Sequence, residues 1–225
     1  SPHIREGLEF FANSENGNPL IYQDLFSAWR LQTRNVLREH KNGTDLYRAH
    51  LPDWAYHWGS NAVKAVTGSA IASKHFSLKE KHRNLALNYL HWFHGLNPLG
   101  LVYLSNMSDF GASLSVSEIY HSWFSDGGDW DSAIFSRYGP PPGYVVGGPN
   151  ASYSVPTISP PANMPAQRAY RDWNSDWPEK SWEVSEPSIS YQAAYILLLA
   201  KATLANREEA LSKSHHNEAA AYSSN

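Results

Sequence analysis

Ser77-Leu78-Lys79-Glu80-Lys81-His82-Arg83-Asn84-Leu85-Ala86-Leu87-Asn88-Tyr89-Leu90-His91-Trp92-Phe93-His94-Gly95 carries the clearest structural signature of this 225-residue chain. Ser77 followed by Glu80 is a capping-box pattern, in which hydroxyl and carboxylate each satisfy a backbone amide left open by the first helical turn. Leu85, Leu87, Tyr89, Leu90, Trp92 and Phe93 follow, and Gly95 with Pro98 supplies the stop, because glycine accepts the left-handed conformation of a helix end. The stretch predicts a helix and, with the helical patterns on either side of it, an all-α reading of the chain.

Working outward, Asn18 and Pro19 precede Leu20, Tyr22, Leu25, Trp29, Val36 and Leu37, a helical repeat that should stop at Lys41-Asn42-Gly43. A second helix is expected from about Asp53 or Trp58 to Ile71. The chain returns to helix at Ser185-Glu186-Pro187, with Pro187 expected at the first helical position and Glu186 just outside it. Ile189, Ala193, Ile196, Leu197, Ala200 and Leu204 continue that helix, and the tail from Arg207 to Asn225 reads as a surface helix fraying into a polar end. Neither an internal repeat nor a domain boundary is visible.

Between 95 and 185 most of the 14 Pro and 14 Gly gather, and no period is sustained. Disorder is the alternative for such a stretch. Against it stand Trp123, Phe124, Trp130, Phe135, Tyr138, Tyr144, Tyr153, Trp173, Trp177 and Trp182, which a solvated linker would not carry. Long, ordered Pro/Gly/aromatic-rich loops lying over a cleft are therefore expected.

A net charge of −3 argues against a basic nucleic-acid-binding face. The longest uncharged apolar run, Ala193 to Ala200, is far short of the roughly 20 residues that cross a bilayer, so no membrane partner is expected. With no Cys, disulfide and thiolate chemistry are excluded. The opening Ser-Pro-His-Ile-Arg-Glu lacks an initiator Met and the basic and apolar regions of a signal peptide, the pattern expected of a trimmed chain or a fragment. The informative excess is 9 Trp and 13 Tyr, amphipathic ring surface suited to sugars or peptides.

Glu186 is the first candidate for chemistry. A carboxyl at a loop-to-helix junction flanked by Trp182 and Tyr191 is placed to aim its proton into a cleft, and aromatic neighbours would raise its pKa as a general acid requires. The competing reading is an acidic residue complementing a helix N-terminus. His121, in Tyr120-His121-Ser122-Trp123-Phe124, offers a hydrogen-bonding ring beside a stacking face, or else a structural histidine. Asp126-Gly127-Gly128-Asp129-Trp130-Asp131 lacks the ligand spacing of a calcium loop and reads as a solvated turn. His91 and His94 lie three apart on one helix without an HExxH pattern, so no metal site is assigned.

Four strings, in order, complete the reading. Tyr56-His57-Trp58-Gly59-Ser60-Asn61, Gly95-Leu96-Asn97-Pro98-Leu99-Gly100-Leu101-Val102-Tyr103, Pro141-Pro142-Gly143-Tyr144-Val145-Val146-Gly147-Gly148-Pro149-Asn150 and Ser185-Glu186-Pro187-Ser188-Ile189-Ser190-Tyr191-Gln192-Ala193-Ala194 resemble the C-terminal half of family-nine glycoside hydrolases, the cellulase and endoglucanase group. The resemblance covers about residues 50 to 205. It implies that residues 1–225 are the C-terminal part of one (α/α)6-barrel catalytic domain, whose N-terminal part is not in this chain. It also implies inverting hydrolysis of β-1,4-glycosidic bonds in a cellulose-like glycan. The family's general acid falls on Glu186, with Ser185 in place of the usual Asn. The substrate-binding histidine falls on His121, while the family's neighbouring arginine has no counterpart.

The family's base lies on an Asp-Ala-Gly-Asp segment upstream of anything present here, and Asp126-Gly127-Gly128-Asp129 occurs too late to take that role. Trp123, Trp130 and Tyr191 are candidate sugar platforms. No cofactor is expected, and calcium is left to upstream loops of the intact enzyme. Either the missing N-terminal half or a second copy should pack against residues 20 to 94, because half a barrel would otherwise expose apolar helix faces. The partner is a β-glycan oligosaccharide or polysaccharide, and a secreted or periplasmic location is favoured over a cytoplasmic one. The rival function is a non-catalytic carbohydrate-binding or interaction module derived from the same fold. A purely structural helical protein is a third reading.

Overall fold

Helix α1 (Pro19–Asn42) begins where the sequence places it. Asn18 caps it through its side-chain oxygen, which accepts the Leu20 amide at 2.9 Å, and Pro19 takes the first position, where a missing N–H costs nothing. The computed structural model describes residues 17–42, 45–72 and 80–204, together with 7, 10, 11 and 14. The expected stop at Gly43, the cap at Ser77 and the tail beyond 204 lie outside those residues. Contacts divide the chain into two units, Ser1–Leu46, which contains α1, and Tyr47–Asn225, which contains everything that follows.

In the second unit, a single 3-10 turn over Asp53–Ala55 precedes α2 (Ser60–Ile71), so the second helix starts at the later of its two expected places. Gly59 caps α2 at φ +85, a left-handed conformation that suits glycine. The buried face of α2 carries Ser60, Asn61, Lys64 and Ser69 beside Ala65, Gly68 and Ile71, so it is polar as well as apolar. Gly68 lets α2 cross α3 closely, since a Cβ there would stand 2.6 Å from Tyr89 Cβ.

Helix α3 (Glu80–Phe93) is the quoted stretch. His82, Leu85, Ala86, Tyr89, Leu90 and Phe93 are buried at the spacing of one helical face, with Trp92 beside them. Each of the large apolar side chains contributes roughly 1.5–3 kcal/mol of transfer free energy. Trp92 stacks on Tyr103 at 6.0 Å, and Tyr103 meets Tyr170 edge-on at 5.2 Å. Lys64 is fully buried, its ammonium 3.7 Å over the Trp92 ring and bonded to the Ala49 carbonyl, which compensates its lost hydration. Gly95 ends the helix at φ +98, as the stop signal requires, and the Leu96 amide closes back on the His91 carbonyl at 2.9 Å.

Residues 95–185 hold little regular structure. Strands β1 (Val102–Ser105) and β2 (Ser115–Val116) pair in parallel, and isolated bridges join Leu104 to Val145 and Val146 to Pro187. Polar side chains take the place of a ladder. Asn97 donates to the Trp92 and Leu101 carbonyls at 2.8 and 2.7 Å and accepts the Leu99 amide at 3.0 Å. Glu183 on α4 (Trp182–Ser185) accepts the Ser154 amide at 2.9 Å and the Ser154 hydroxyl.

The last helix, α5, occupies 189–204 among the described residues and starts two residues later than expected. Pro187 is not its first residue: it lies in the bridge with Val146, while the Glu186 carbonyl accepts the Gly147 amide at 3.0 Å. The proline is thus spent on an extended segment, for which its fixed φ is equally suited.

Candidate active site

Three of the four strings converge behind Glu186. The Asn61 amide donates to the Gly147 carbonyl at 3.0 Å, and the Gly147 amide in turn donates to the Glu186 carbonyl at the same distance. The Gly148 amide reaches the Val184 carbonyl at 2.9 Å, and Ser60 Oγ donates to the Pro149 carbonyl at 2.6 Å. Asn61, fully buried, donates its side-chain amide to Val146 at 3.0 Å and accepts the Trp92 indole at 3.2 Å. That last bond ties in the fourth string, because Asn97 grips the Trp92 carbonyl. Segments far apart in sequence are thereby laced into one frame under a single carboxyl.

On this frame opens a cavity of about 880 Å³. Glu186, His121, Trp123 and Tyr191 all line it, so four of the five residues singled out by sequence meet in one place. Trp130 is not among its lining: it packs on Tyr138 at 4.7 Å, and the Arg137 guanidinium lies 4.8 Å over the other ring of that pair. Residues that the sequence did not single out as site residues complete the walls, namely Trp58, Phe124 and Tyr144, with Ile189, Ala193 and Ile196 from α5. Gln192 holds the Tyr144 loop in place, accepting the Val145 amide at 3.0 Å and donating to the Gly143 carbonyl at 3.1 Å.

Burial raises the pKa of Glu186, while a side-chain hydrogen bond from Trp58 and the charge of His121 act in the opposite direction. Glu186 is half-buried and is the C-cap of α4, with extended backbone, rather than a residue of the α5 N-terminus. Tyr191 is also pushed up, by burial and then by Glu186. Among the described residues that line the cavity, Glu186 is the one carboxylate. Glu118 and Asp172 are held up chiefly by burial in a separate network, where Asp172 accepts the Ser117 amide at 2.8 Å and Glu118 accepts the Asn174 amide at the same distance. The Asp126–Asp131 turn is exposed at Asp126 and Asp129 but not, as expected, throughout: Asp131 is buried, accepting the Gly127 amide at 2.8 Å and the Asn174 side-chain amide at the same distance. No group of three or more metal-ligating side chains occurs among the described residues.

A half-buried carboxyl in the wall of an aromatic-lined cavity, set on helices and long loops, is an arrangement that suits the glycoside hydrolase class. The sequence model described as glycosyl hydrolase family 9 matches residues 8–199, and the chain belongs to that family. Solved structures of family 9 proteins share the fold of this chain. A metagenome-derived family 9 endoglucanase superposes with a TM-score of 0.64 at 22% identity, covering 88% of this chain and 32% of that one. AaCel9A in complex with cellobiose-like isofagomine gives 0.64 at 20%, covering 85% and 33%. A Bacteroides ovatus family 9 structure gives 0.61 at 19%, covering 86% and 31%. The chain thus spans about a third of the length of these structures. No curated protein matches the chain in sequence.

Proposed function

We propose that this chain is the part of an (α/α)6 barrel that carries the general acid of a β-1,4-glycan hydrolase acting outside the cytoplasm on a cellulose-like polymer. The observation that carries the reading is Glu186, its pKa raised by burial, in the wall of a cavity that also presents His121, Trp123 and Tyr191. In the inverting reaction Glu186 protonates the glycosidic oxygen as the bond to the anomeric carbon breaks. Water attacks the opposite face of the sugar and gives its proton to a second carboxylate about 6.5–9.5 Å away. That base belongs to polypeptide outside this chain, in keeping with the fraction of the related structures that the chain covers. Trp123 and Tyr191 flank the sugar at the acid, and Trp130 serves as a platform farther out.

In the enzyme that contains this chain, Glu186→Gln should cut turnover of β-glucan by several orders of magnitude while preserving the fold. Unchanged turnover would end the assignment. A second reading, a carbohydrate-binding module without hydrolysis, draws on the single carboxylate in the cavity wall. It predicts oligosaccharide binding at every pH with no bond cleavage even when the remainder of the domain is supplied.

A further inference from the structure

We propose that Asn174 is a positioning residue of the cavity: it ties together the two ends of the segment 118–124 and thereby holds His121 and Trp123 in the wall that contains Glu186. The inference rests on the reading of that cavity as a sugar site and adds to it a residue that is not among the cavity's lining. Asn174 is buried. Its backbone amide donates to Glu118 Oε2 at 2.8 Å, and its side-chain amide donates to the Phe124 carbonyl and, at 2.8 Å, to Asp131 Oδ1. Between those two anchor points the chain leaves the core and returns to it. Ile119 and Phe124 are buried, whereas His121 and Trp123 are exposed and line the cavity.

The two halves of the segment are held differently. In the first half, the Asp172 carboxylate accepts the Ser117 and Glu118 amides at 2.8 and 3.3 Å, and the Tyr120 amide donates to the carbonyl of Ser185, the neighbour of Glu186, at 3.2 Å. From His121 onward the chain makes one turn, closed by the Phe124 amide on the His121 carbonyl at 2.8 Å, and the Asn174 side chain joins that turn to the segment 172–174. The carboxylate and the carbonyl both accept, so the NH2 end of the amide faces them and both of its N–H groups are used. The bond to Asp131 is charge-assisted and fixes the plane of the amide, which aims the second N–H at Phe124. Without those donors two buried acceptors would be left unmatched, and the turn would shift to let water reach them. The ring of Trp123 and the imidazole of His121 would move with it, and groups that bind a sugar lose their effect when misplaced.

The test uses Asn174→Leu, which keeps the volume and removes both side-chain donors. In this chain, 15N relaxation should show the 121–124 backbone gaining motion while the Gly147–Gly148 segment stays as it was. The titratable groups that face Glu186 are His121, Tyr120 and Tyr191. The charge of His121 opposes the rise of the Glu186 pKa, so loosening the turn should move the midpoint of a 13C-labelled Glu186 carboxyl upward. In the enzyme that contains this chain, KM for β-1,4-linked oligosaccharides should increase about tenfold with kcat changed less than about twofold, because the frame under Glu186 is untouched. A purely structural asparagine would lower the melting temperature and move none of these. If the leucine variant does not fold, Asn174→Asp decides: its carboxyl donates only while protonated, so motion in 121–124 should grow as that carboxyl ionises. An unmoved 121–124 backbone, an unchanged Glu186 midpoint or an unchanged KM overturns the proposal. Hydrolysis that persists in Glu186→Gln, with the relaxation result in place, would remove the general-acid reading and keep Asn174 as the support of this wall.

Discussion

Asn61 fills the space that any side chain at position 148 would need: a Cβ on Gly148 would stand 2.4 Å from Asn61 Cγ. Gly148 also sits at φ +88, where an L side chain is strained. The two residues thus interlock, and through Gly147 and Val184 the interlock bears on the backbone of Glu186.

Gly148→Ala should therefore cost about 2–4 kcal/mol of folding stability, combining backbone strain with overpacking against a fully buried amide. Urea unfolding with an unchanged slope would measure it. A loss below about 0.5 kcal/mol would mean that Asn61 yields freely and is not the rigid support described here.

The raised pKa of Glu186 fixes the sign of a pH effect. A carboxyl whose folded-state value lies above its unfolded value binds its proton more tightly in the folded chain. Its stabilising contribution is complete at low pH and is lost as pH climbs from the unfolded carboxylate range through the raised folded range. Glu186→Gln cannot titrate, so its stability relative to the unmutated chain should rise across that window and level off above it. Thermal melts of both proteins from acid to neutral pH test this, and a relative stability that falls with pH would show that burial does not dominate at this carboxyl.

Legibility from sequence differed by residue, for physical reasons. The C-terminal end of α3 and the start of α1 are readable because proline, asparagine and glycine impose local geometry whatever surrounds them. Glu186 and Tyr191 stand in a family string, Glu186 and His121 are also readable as chemistry, and Trp123 as a ring beside His121. Trp58 stands in a family string, but its place in the cavity wall depends on the meeting of segments far apart in sequence, which no local pattern encodes. Trp130 reads as a sugar platform, but it packs on Tyr138, eight positions on, and is not part of the cavity wall. Pro187 fits a helix start and an extended strand equally well by its φ, and pairing with Val146 settled the choice.

The two classes of tryptophan should separate in binding. Trp123 is 81% exposed in the cavity wall, and Trp130 keeps 47% of its surface open on a stack with Tyr138. Trp123→Ala should weaken short β-1,4-linked oligosaccharides about tenfold, the scale set by the ring area they would cover. Trp130→Ala should leave short ligands unaffected and weaken long chains only. Calorimetric titration with ligands of graded length checks both, and equal losses for both variants on the shortest ligand would remove the distinction.

The apolar repeat of α5 supplies the last prediction. Ile189, Ala193, Ile196, Ala200 and Leu204 recur at helical spacing, as a core stripe would, yet all five are exposed. Ile189 is 92% open and Leu204 59%. The face that packs on the rest of this unit is the other one, with Ala194, Tyr195, Leu198 and Ala202 buried. A helix apolar on two sides is built to lie between partners, and its open stripe runs into the cavity through Ile189, Ala193 and Ile196. Polypeptide laid on that stripe would add to the cavity wall that holds Glu186. Alone in solution, the chain should bury the stripe against a second copy and sediment with a concentration-dependent mass. Ala200→Glu combined with Leu204→Glu should abolish that association and leave the melting temperature of the dilute chain in place, because neither side chain is buried in its own unit. A sharp monomer at every concentration would show that the stripe needs no cover.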